Sequence, residues 1–254
     1  FRHKDYGEYK AGRKPTAPEL KPQFDLVREC LTKMGVKILT CPTFEADDIL
    51  GTFARRCEEA GIPALLVTGD RDSMQLVTET SSVLYTRRGV SDVVRYTPEK
   101  VLEDFGVTPA QIPDLKGLMG DASDNIPGVP GIGEKTAMAL VQKYRSIDEI
   151  YRLLPELDAK PGVIKKLTEG EESARQSYHL ATILTDAPLE FTPQDNLRKA
   201  PSDALYPLLM HLEFHKLIEK MGLKPAAEPL SAAETVECTV TVEAVTSTER
   251  TEEC

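Results

Sequence analysis

The sequence predicts an α/β fold: a parallel-type central sheet followed by an all-helical region. Three observations carry this. Amphipathic segments alternate with short apolar runs up to residue 97, only helical patterns follow from Pro98, and a glycine turn, Pro130-Gly131-Ile132-Gly133, opens one of those helices. Alternating strand and helix with short links favours a doubly wound sheet with right-handed crossovers, whose ligands sit beyond the carboxyl ends of the strands.

In chain order, residues 24–34 set Phe24, Val27, Leu31 and Met34 at helical spacing and stop at Gly35. Residues 36–39 read as a short strand. Residues 45–60 form a second helix whose apolar positions Ile49, Leu50, Phe53 and Cys57 leave Glu45 and Asp48 together in its first turn. The continuous apolar run 64–68 is a buried strand of the parallel type. Residues 83–86 and 93–96, with polar residues and Gly89 between them, read as a hairpin. Helices are expected over 98–105, 109–119, 134–144, 146–154, 162–167, 171–184 and 202–221. After Gly222 the chain turns to Ala, Glu, Thr, Val and Pro, the texture of a linker, with β-type alternation over 237–245. Three regions are expected: an α/β core over 1–97, a helical region over 98–222, and an acidic linker or the start of another domain over 223–254.

With 254 residues, 41% of them apolar, the chain has ample material for a core. No run approaches the roughly 20 apolar residues of a membrane helix, and no secretory signal is visible, so a soluble, intracellular (cytoplasmic) protein is expected; a monomer is expected as well. Five cysteines without C-x-x-C spacing indicate neither a disulfide framework nor zinc. The net charge of −10 is concentrated at the end: residues 225–254 contribute −6, leaving −4 for residues 1–224. Setting aside the seven carboxylates assigned below to a metal site turns that −4 into +3. The chain does not begin with Met, and Phe1-Arg2 reads as the middle of a segment, so a fragment is expected.

Residues 1–22 hold six Lys or Arg against three acids, interleaved with Phe1, Tyr6 and Tyr9. Such mixtures suit either a mobile element over a nucleic-acid strand or a solvated terminus. At the other functional end, Gly131 and Gly133 precede the helix expected over 134–144, where glycine lets backbone N–H groups approach a phosphate and the helix N-terminus adds partial positive charge. A simple turn is the alternative. The pattern Ile126, Val129, Gly131, Gly133, Ala137, Leu140 resembles the helix-hairpin-helix of non-specific DNA-binding proteins.

Three acidic clusters stand where an α/β sheet puts function: Glu45/Asp47/Asp48 at a helix start, Asp70/Asp72 after a strand, and Asp121/Asp124, three residues apart on one face of a helical turn. Singly, each reads as a helix cap. Together they call for cations, because two carboxylates about 4 Å apart repel by about 4 kcal/mol at an effective dielectric near 20. Hard oxygen donors select Mg²⁺ or Mn²⁺. Two such ions beside a phosphate grip imply hydrolysis of a phosphodiester.

Glu45-Ala46-Asp47-Asp48, Thr68-Gly69-Asp70-Arg71-Asp72, Gly120-Asp121-Ala122-Ser123-Asp124-Asn125 and the hairpin from Gly128 to Ala137, in this order and spacing, resemble the 5′ nuclease domain of bacterial DNA polymerase I, a relative of the flap endonucleases. Phe1-Arg2 and Tyr9-Lys10-Ala11-Gly12-Arg13 are similar to that family's approach to its helical arch. The resemblance covers residues 1 to about 222 and implies a PIN/5′ nuclease-like fold. It also implies a structure-specific nuclease that removes 5′ flaps and RNA primers from branched or nicked duplex DNA in bacterial replication and repair, joined to polymerase domains in the full-length chain. Glu45, Asp47, Asp48, Asp70, Asp72, Asp121 and Asp124 then fall on positions for two metal ions, Mg²⁺ or Mn²⁺. Lys10 and Arg13 fall beside the scissile phosphate, and Gly128, Gly131, Ile132, Gly133, Lys135 and Thr136 on the duplex-binding hairpin, assisted in relatives by a monovalent cation such as K⁺. Two further aspartates of the family precede Phe1, so the fragment is expected to bind DNA with impaired cleavage. The rival readings are a non-catalytic DNA-binding hairpin module, a Mg²⁺-dependent phosphohydrolase of small molecules and a ribonuclease.

Overall fold

The computed structural model describes residues 1–89 and 91–225, without the side chain of Asp195. Its contacts divide the chain into a unit of Phe1–Ser202 and a second unit beginning at Asp203.

The first unit holds a three-stranded sheet of β1 (Ala64–Thr68), β2 (Ser81–Arg88) and β3 (Asp92–Tyr96), in that order. β1 runs parallel to β2 with Leu66 opposite Val83, and β2 runs antiparallel to β3 with Val83 opposite Tyr96. The sheet is therefore mixed: the expected hairpin supplies an antiparallel edge. Residues 36–39 form no strand. Leu39 and Cys41 instead pack beside Ala187, Leu189 and Phe191, so side-chain burial replaces strand pairing there. Nor is β1 buried on both faces. Leu66 is 2% exposed, but Leu65 and Val67, which period-2 alternation turns the other way, are 52% and 59% exposed.

Before the sheet come α1 (Arg2–Asp5), α2 (Lys21–Lys33) and α3 (Ala46–Glu59). α2 forms where its apolar spacing predicts, yet buries none of its residues. α3 buries Gly51, Ala54 and Cys57 along one stripe. After the sheet run α4 (Pro98–Phe105), α5 (Ile112–Met119), α6 (Glu134–Tyr144), α7 (Ile147–Arg152), α8 (Pro161–Glu169) and α9 (Glu171–Ala181). Thr97 caps α4, accepting from the Lys100 N–H, and Gly106 at φ +70° ends it. One apolar cluster runs from Leu66, Met74 and Val83 through Leu115 and Leu118 to Val141, Ile150 and Leu167. At about 1.5–3 kcal/mol per large side chain, that shared core fixes helices and sheet to each other.

α9 stops three residues before the expected end, and residues 182–184 are extended, which frees their backbone groups for tertiary bonds. In the second unit, the single helix expected over 202–221 is two: α10 (Leu205–His211) and α11 (His215–Met221). Glu213 at φ +59° breaks it, and the Phe214 N–H closes the turn on the Leu209 carbonyl. Residues 237–245 lie outside the described residues. No described helix is long and apolar enough to cross a membrane.

Candidate active site

α3 begins at the first acidic cluster. Glu45 is its N-cap residue and donates its N–H to Asp48 Oδ2 at 3.0 Å. Asp48 is fully buried, and its carboxylate accepts two bonds from Arg2, at 2.9 and 2.8 Å, and one from the Leu184 N–H at 2.9 Å. Burial would raise its pKa, but Arg2 and these N–H groups hold it below the usual carboxylate range. Asp48 lines neither of the clefts described below. Glu45 and Asp47 are half-buried: Lys10 Nζ donates to Glu45 Oε2 at 2.7 Å, and Ser73 Oγ to Asp47 Oδ1 at 3.2 Å.

The second cluster follows β1 directly. Asp70 caps the short 3₁₀ turn Arg71–Leu76, accepting from the Asp72 N–H at 2.9 Å. Asp72 points inward to Lys116 of α5, whose Nζ also reaches Asp121 Oδ2 at 2.5 Å. The third cluster is not helical. Residues 121–126 form a turn closed by an antiparallel bridge between Asp121 and Ile126, with Asn125 at φ +56°. Turning the backbone this way sends its two acids in different directions. Asp121 faces Lys116, while Asp124 meets Arg13 at 2.7 Å, the Tyr9 hydroxyl at 3.3 Å and Lys10 at 3.6 Å.

Two adjoining clefts result. Glu45, Asp47, Asp70, Asp72 and Asp124 line the narrower one with Arg2, Tyr9 and Lys10. Asp70, Asp72 and Asp121 line the larger, about 790 Å³, together with Lys116, and the wall continues to Glu134 at the start of α6. Asp70 and Asp72 belong to both. Negative charge is in excess: burial and then the neighbouring Asp70 push the Asp47 carboxyl up, and burial pushes Asp72 up despite Lys116. Burial would also raise Asp121, but Lys116 and Ser123 override it and hold it at about 2. Lys116 is itself held protonated, burial being outweighed by Asp72 and Asp121.

Whether these groups suit a metal is a question of donors and charge. Among the described residues, no three His, Cys, Asp or Glu side chains gather closely enough to hold an ion between them. The acids are drawn to ammonium and guanidinium groups instead. Lys116 bridges Asp72 and Asp121 from separate segments, and Lys10 bridges Glu45 and Asp124. Carboxylates that share a cation across a cleft, with neither His nor Cys lining it, form a donor set that fits a hard divalent ion.

The glycine turn is divided between inside and outside. Gly128 and Ile132 are buried, Gly131, Gly133 and Lys135 are exposed, and Thr136 is half-buried. Gly133 is the N-cap residue of α6 and supplies no side chain; the Thr136 N–H turns back to the Gly133 carbonyl, so the Glu134 and Lys135 N–H groups are those that can meet an outside acceptor. Lys166 of α8 donates to the Gly131 carbonyl at 3.0 Å, adding positive charge at the turn.

Three residues of the site escaped the sequence reading as site members. Lys116 is a charge in the mainly apolar helix α5, and that is the signal that marks it, though Asp114 of the same helix shows that the signal is not specific. Arg2 and Tyr9, 4% and 3% exposed, lie in a basic segment whose composition fits a solvated terminus equally well. Only the fold shows that they are core.

Acids from three distant segments thus line two adjoining clefts, and Glu134 at the start of α6 shares the wall of the larger. The chain belongs to the 5′–3′ exonuclease family: the model of its N-terminal resolvase-like domain matches residues 1–106, and that of its C-terminal SAM fold matches residues 107–204. DNA polymerase I of Bacillus subtilis is 42% identical over 223 residues, which are 87% of this chain and 25% of that protein. The chain thus spans about a quarter of such relatives. Among solved structures, the bacteriophage T5 5′-exonuclease with bound zinc has a TM-score of 0.62 at 24% identity, over 87% of this chain and 78% of the other. The bacteriophage T5 flap endonuclease in complex with DNA and metal ions has a TM-score of 0.60 at 24% identity, over the same shares. These two likenesses establish the fold.

Proposed function

We propose that this chain hydrolyses phosphodiesters at 5′ flaps and RNA primers on branched or nicked duplex DNA, as the nuclease part of a bacterial, cytoplasmic DNA polymerase I. The observation that carries the proposal is the sharing of single lysines by acids of different segments, Lys116 by Asp72 and Asp121 and Lys10 by Glu45 and Asp124. The metal-bound bacteriophage T5 relative supports a divalent cofactor.

Glu45, Asp47, Asp70, Asp72, Asp121 and Asp124 would hold Mg²⁺ or Mn²⁺, which supplies an activated water and charge neutralisation at the phosphate. Asp48 does different work, pinning the start of α3 to Arg2. Lys10, Arg13 and Lys116 carry the positive charge beside the acids that can face the developing charge of the scissile phosphate. Gly131, Gly133, Lys135 and Thr136 present the turn to the duplex backbone, Gly128 and Ile132 support it from inside, and Lys166 supplies charge where relatives use a monovalent cation.

The test is Asp70→Asn in the full-length protein, assayed for 5′-flap cleavage in Mg²⁺ and, separately, for flap-DNA binding. We expect cleavage to fall about 100-fold or more with binding retained. Equal cleavage by the variant and the unaltered protein would leave only a DNA-binding module.

A further inference from the structure

We infer that Ser177 and Ser173 of α9 are positioning residues for the acidic site, setting where Asp121 and Asp124 stand relative to the acids of the other two segments. The inference rests on the nuclease reading above and deepens it. Ser177 is fully buried, and its Oγ accepts the Gly128 N–H at 2.9 Å. Ser173 Oγ donates to the Gly128 carbonyl at 2.6 Å. Residues four apart share one helix face, so a single face of α9 grips both polar groups of one residue.

Gly128 is where the acidic loop closes. It lies at φ +64°, and a Cβ there would fall 2.3 Å from the Gly120 nitrogen, while Gly120, at φ +76°, lies against the Ile126 and Pro127 carbonyls. Between these two glycines, the Asp121–Ile126 bridge ties the loop into a ring that carries both acids. The neck of that ring is held by the two serines and by the Val129 N–H on the Leu118 carbonyl at 2.8 Å.

The same stretch of chain holds the other two acidic segments. Arg2, the partner of Asp48, donates to the Leu180 and Thr182 carbonyls at 2.9 and 2.7 Å, and Leu184 donates to Asp48 itself. Gln75, three residues after Asp72, bonds the Ala181 carbonyl at 3.1 Å and the Ile183 N–H at 2.9 Å. Residues 173–184 are thus a common ruler for all three segments. Neither serine lines a cleft, so both act through the backbone they hold.

Removing Ser177 Oγ leaves a buried N–H without an acceptor and frees the ring to drift. The experiment titrates Mn²⁺ alone into the DNA-free protein, following the free-ion electron paramagnetic resonance signal, for the unaltered chain, Ser177→Ala, Ser173→Ala and Arg175→Ala. Arg175 is exposed on the same helix and pairs with Glu171 and Asp148, so its variant controls for helix damage. We expect Ser177→Ala to weaken Mn²⁺ binding about 10-fold, as loss of a group supporting metal ligands does. Ser173→Ala should weaken it less and Arg175→Ala not at all. In flap cleavage, both serine variants should recover toward the unaltered kcat as Mg²⁺ is raised, with KM for DNA unchanged. Unaltered Mn²⁺ affinity in both folded serine variants overturns the inference while leaving the nuclease reading intact. Should Ser177→Ala fail to fold, Ser173→Ala decides alone, its unchanged affinity being the overturning result. A Mn²⁺ shift, where the unaltered full-length protein cuts no flap DNA, would uphold the positioning role and remove the nuclease reading.

Discussion

Lys116 concentrates the electrostatics of the site in one side chain. Its ammonium offsets the repulsion between Asp72 and Asp121, and without it the burial that already raises Asp72 would act unopposed. Lys116→Met should lower flap cleavage by about 100-fold, comparable to losing one charge-stabilising donor. Because Asp72 must be ionised, the acidic limb of the pH–rate profile should also move to higher pH; an unmoved limb would show that Lys116 does not set the charge of Asp72. Asp114, on the same helix, obeys a different logic. It accepts the Ile147 N–H at 2.8 Å, and burial pushes its carboxyl up to about 6. The folded chain therefore holds this proton more tightly than the unfolded one, and stability is lost as pH rises from about 4 through 6, by about 2–3 kcal/mol. Asp114→Asn keeps the accepting oxygen. Urea denaturation should find the variant about 1–2 kcal/mol more stable at pH 8 and the advantage cut to less than half of that at pH 4.5. Equal stabilities at both pH values would refute the assignment.

At the scale of elements, the glycines of the acidic ring and the hairpin separate two uses of one residue type. A Cβ at Gly128 would meet the backbone of Gly120 at 2.3 Å, in a left-handed conformation. Gly128→Ala should therefore cost at least about 2 kcal/mol, from strain and the clash together. Gly133 lies at φ −97° with nothing within 4 Å of an added Cβ. Gly133→Ala should leave Tm within about 2 °C yet weaken binding to nicked duplex DNA severalfold, because only an approaching phosphate needs that space. Unchanged DNA affinity in this variant would move the duplex contact elsewhere. The acidic clusters divide in the same manner. Asp48 and Asp70 do serve as helix-start partners, as lone acids at helix N-termini commonly do, but Asp70 lines the clefts as well.

For the whole chain, net charge misleads. A formal charge of −10 conceals a cleft edged by Lys10, Arg13 and Lys116 and a turn flanked by Lys135 and Lys166. With about six phosphate contacts, affinity for flap DNA should fall about 1,000-fold between 50 and 200 mM salt. Filter binding across that range checks it, and a flat response would exclude backbone recognition. Much of the architecture was legible beforehand. The hairpin of β2 and β3, the helices α4 to α9 and the sheet strand before Asp70 follow from apolar period and capping residues, which act over a few positions. The absent strand at 36–39, the exposed face of β1 and the break at Glu213 were not legible, because each depends on whether a distant surface arrives to cover or pair the segment.

Family, element order and the candidate acids were readable before any folding, since motif spacing and side-chain chemistry are properties of the chain alone. Which partner each acid meets came from the fold. Asp48 is buried against Arg2 and lines neither cleft, the turn at 121–126 separates Asp121 from Asp124, and Lys116 stands between acids of two segments. A carboxylate's role depends on what neutralises its charge, and the Arg2 and Lys116 partners lie 5 to 46 residues away along the chain.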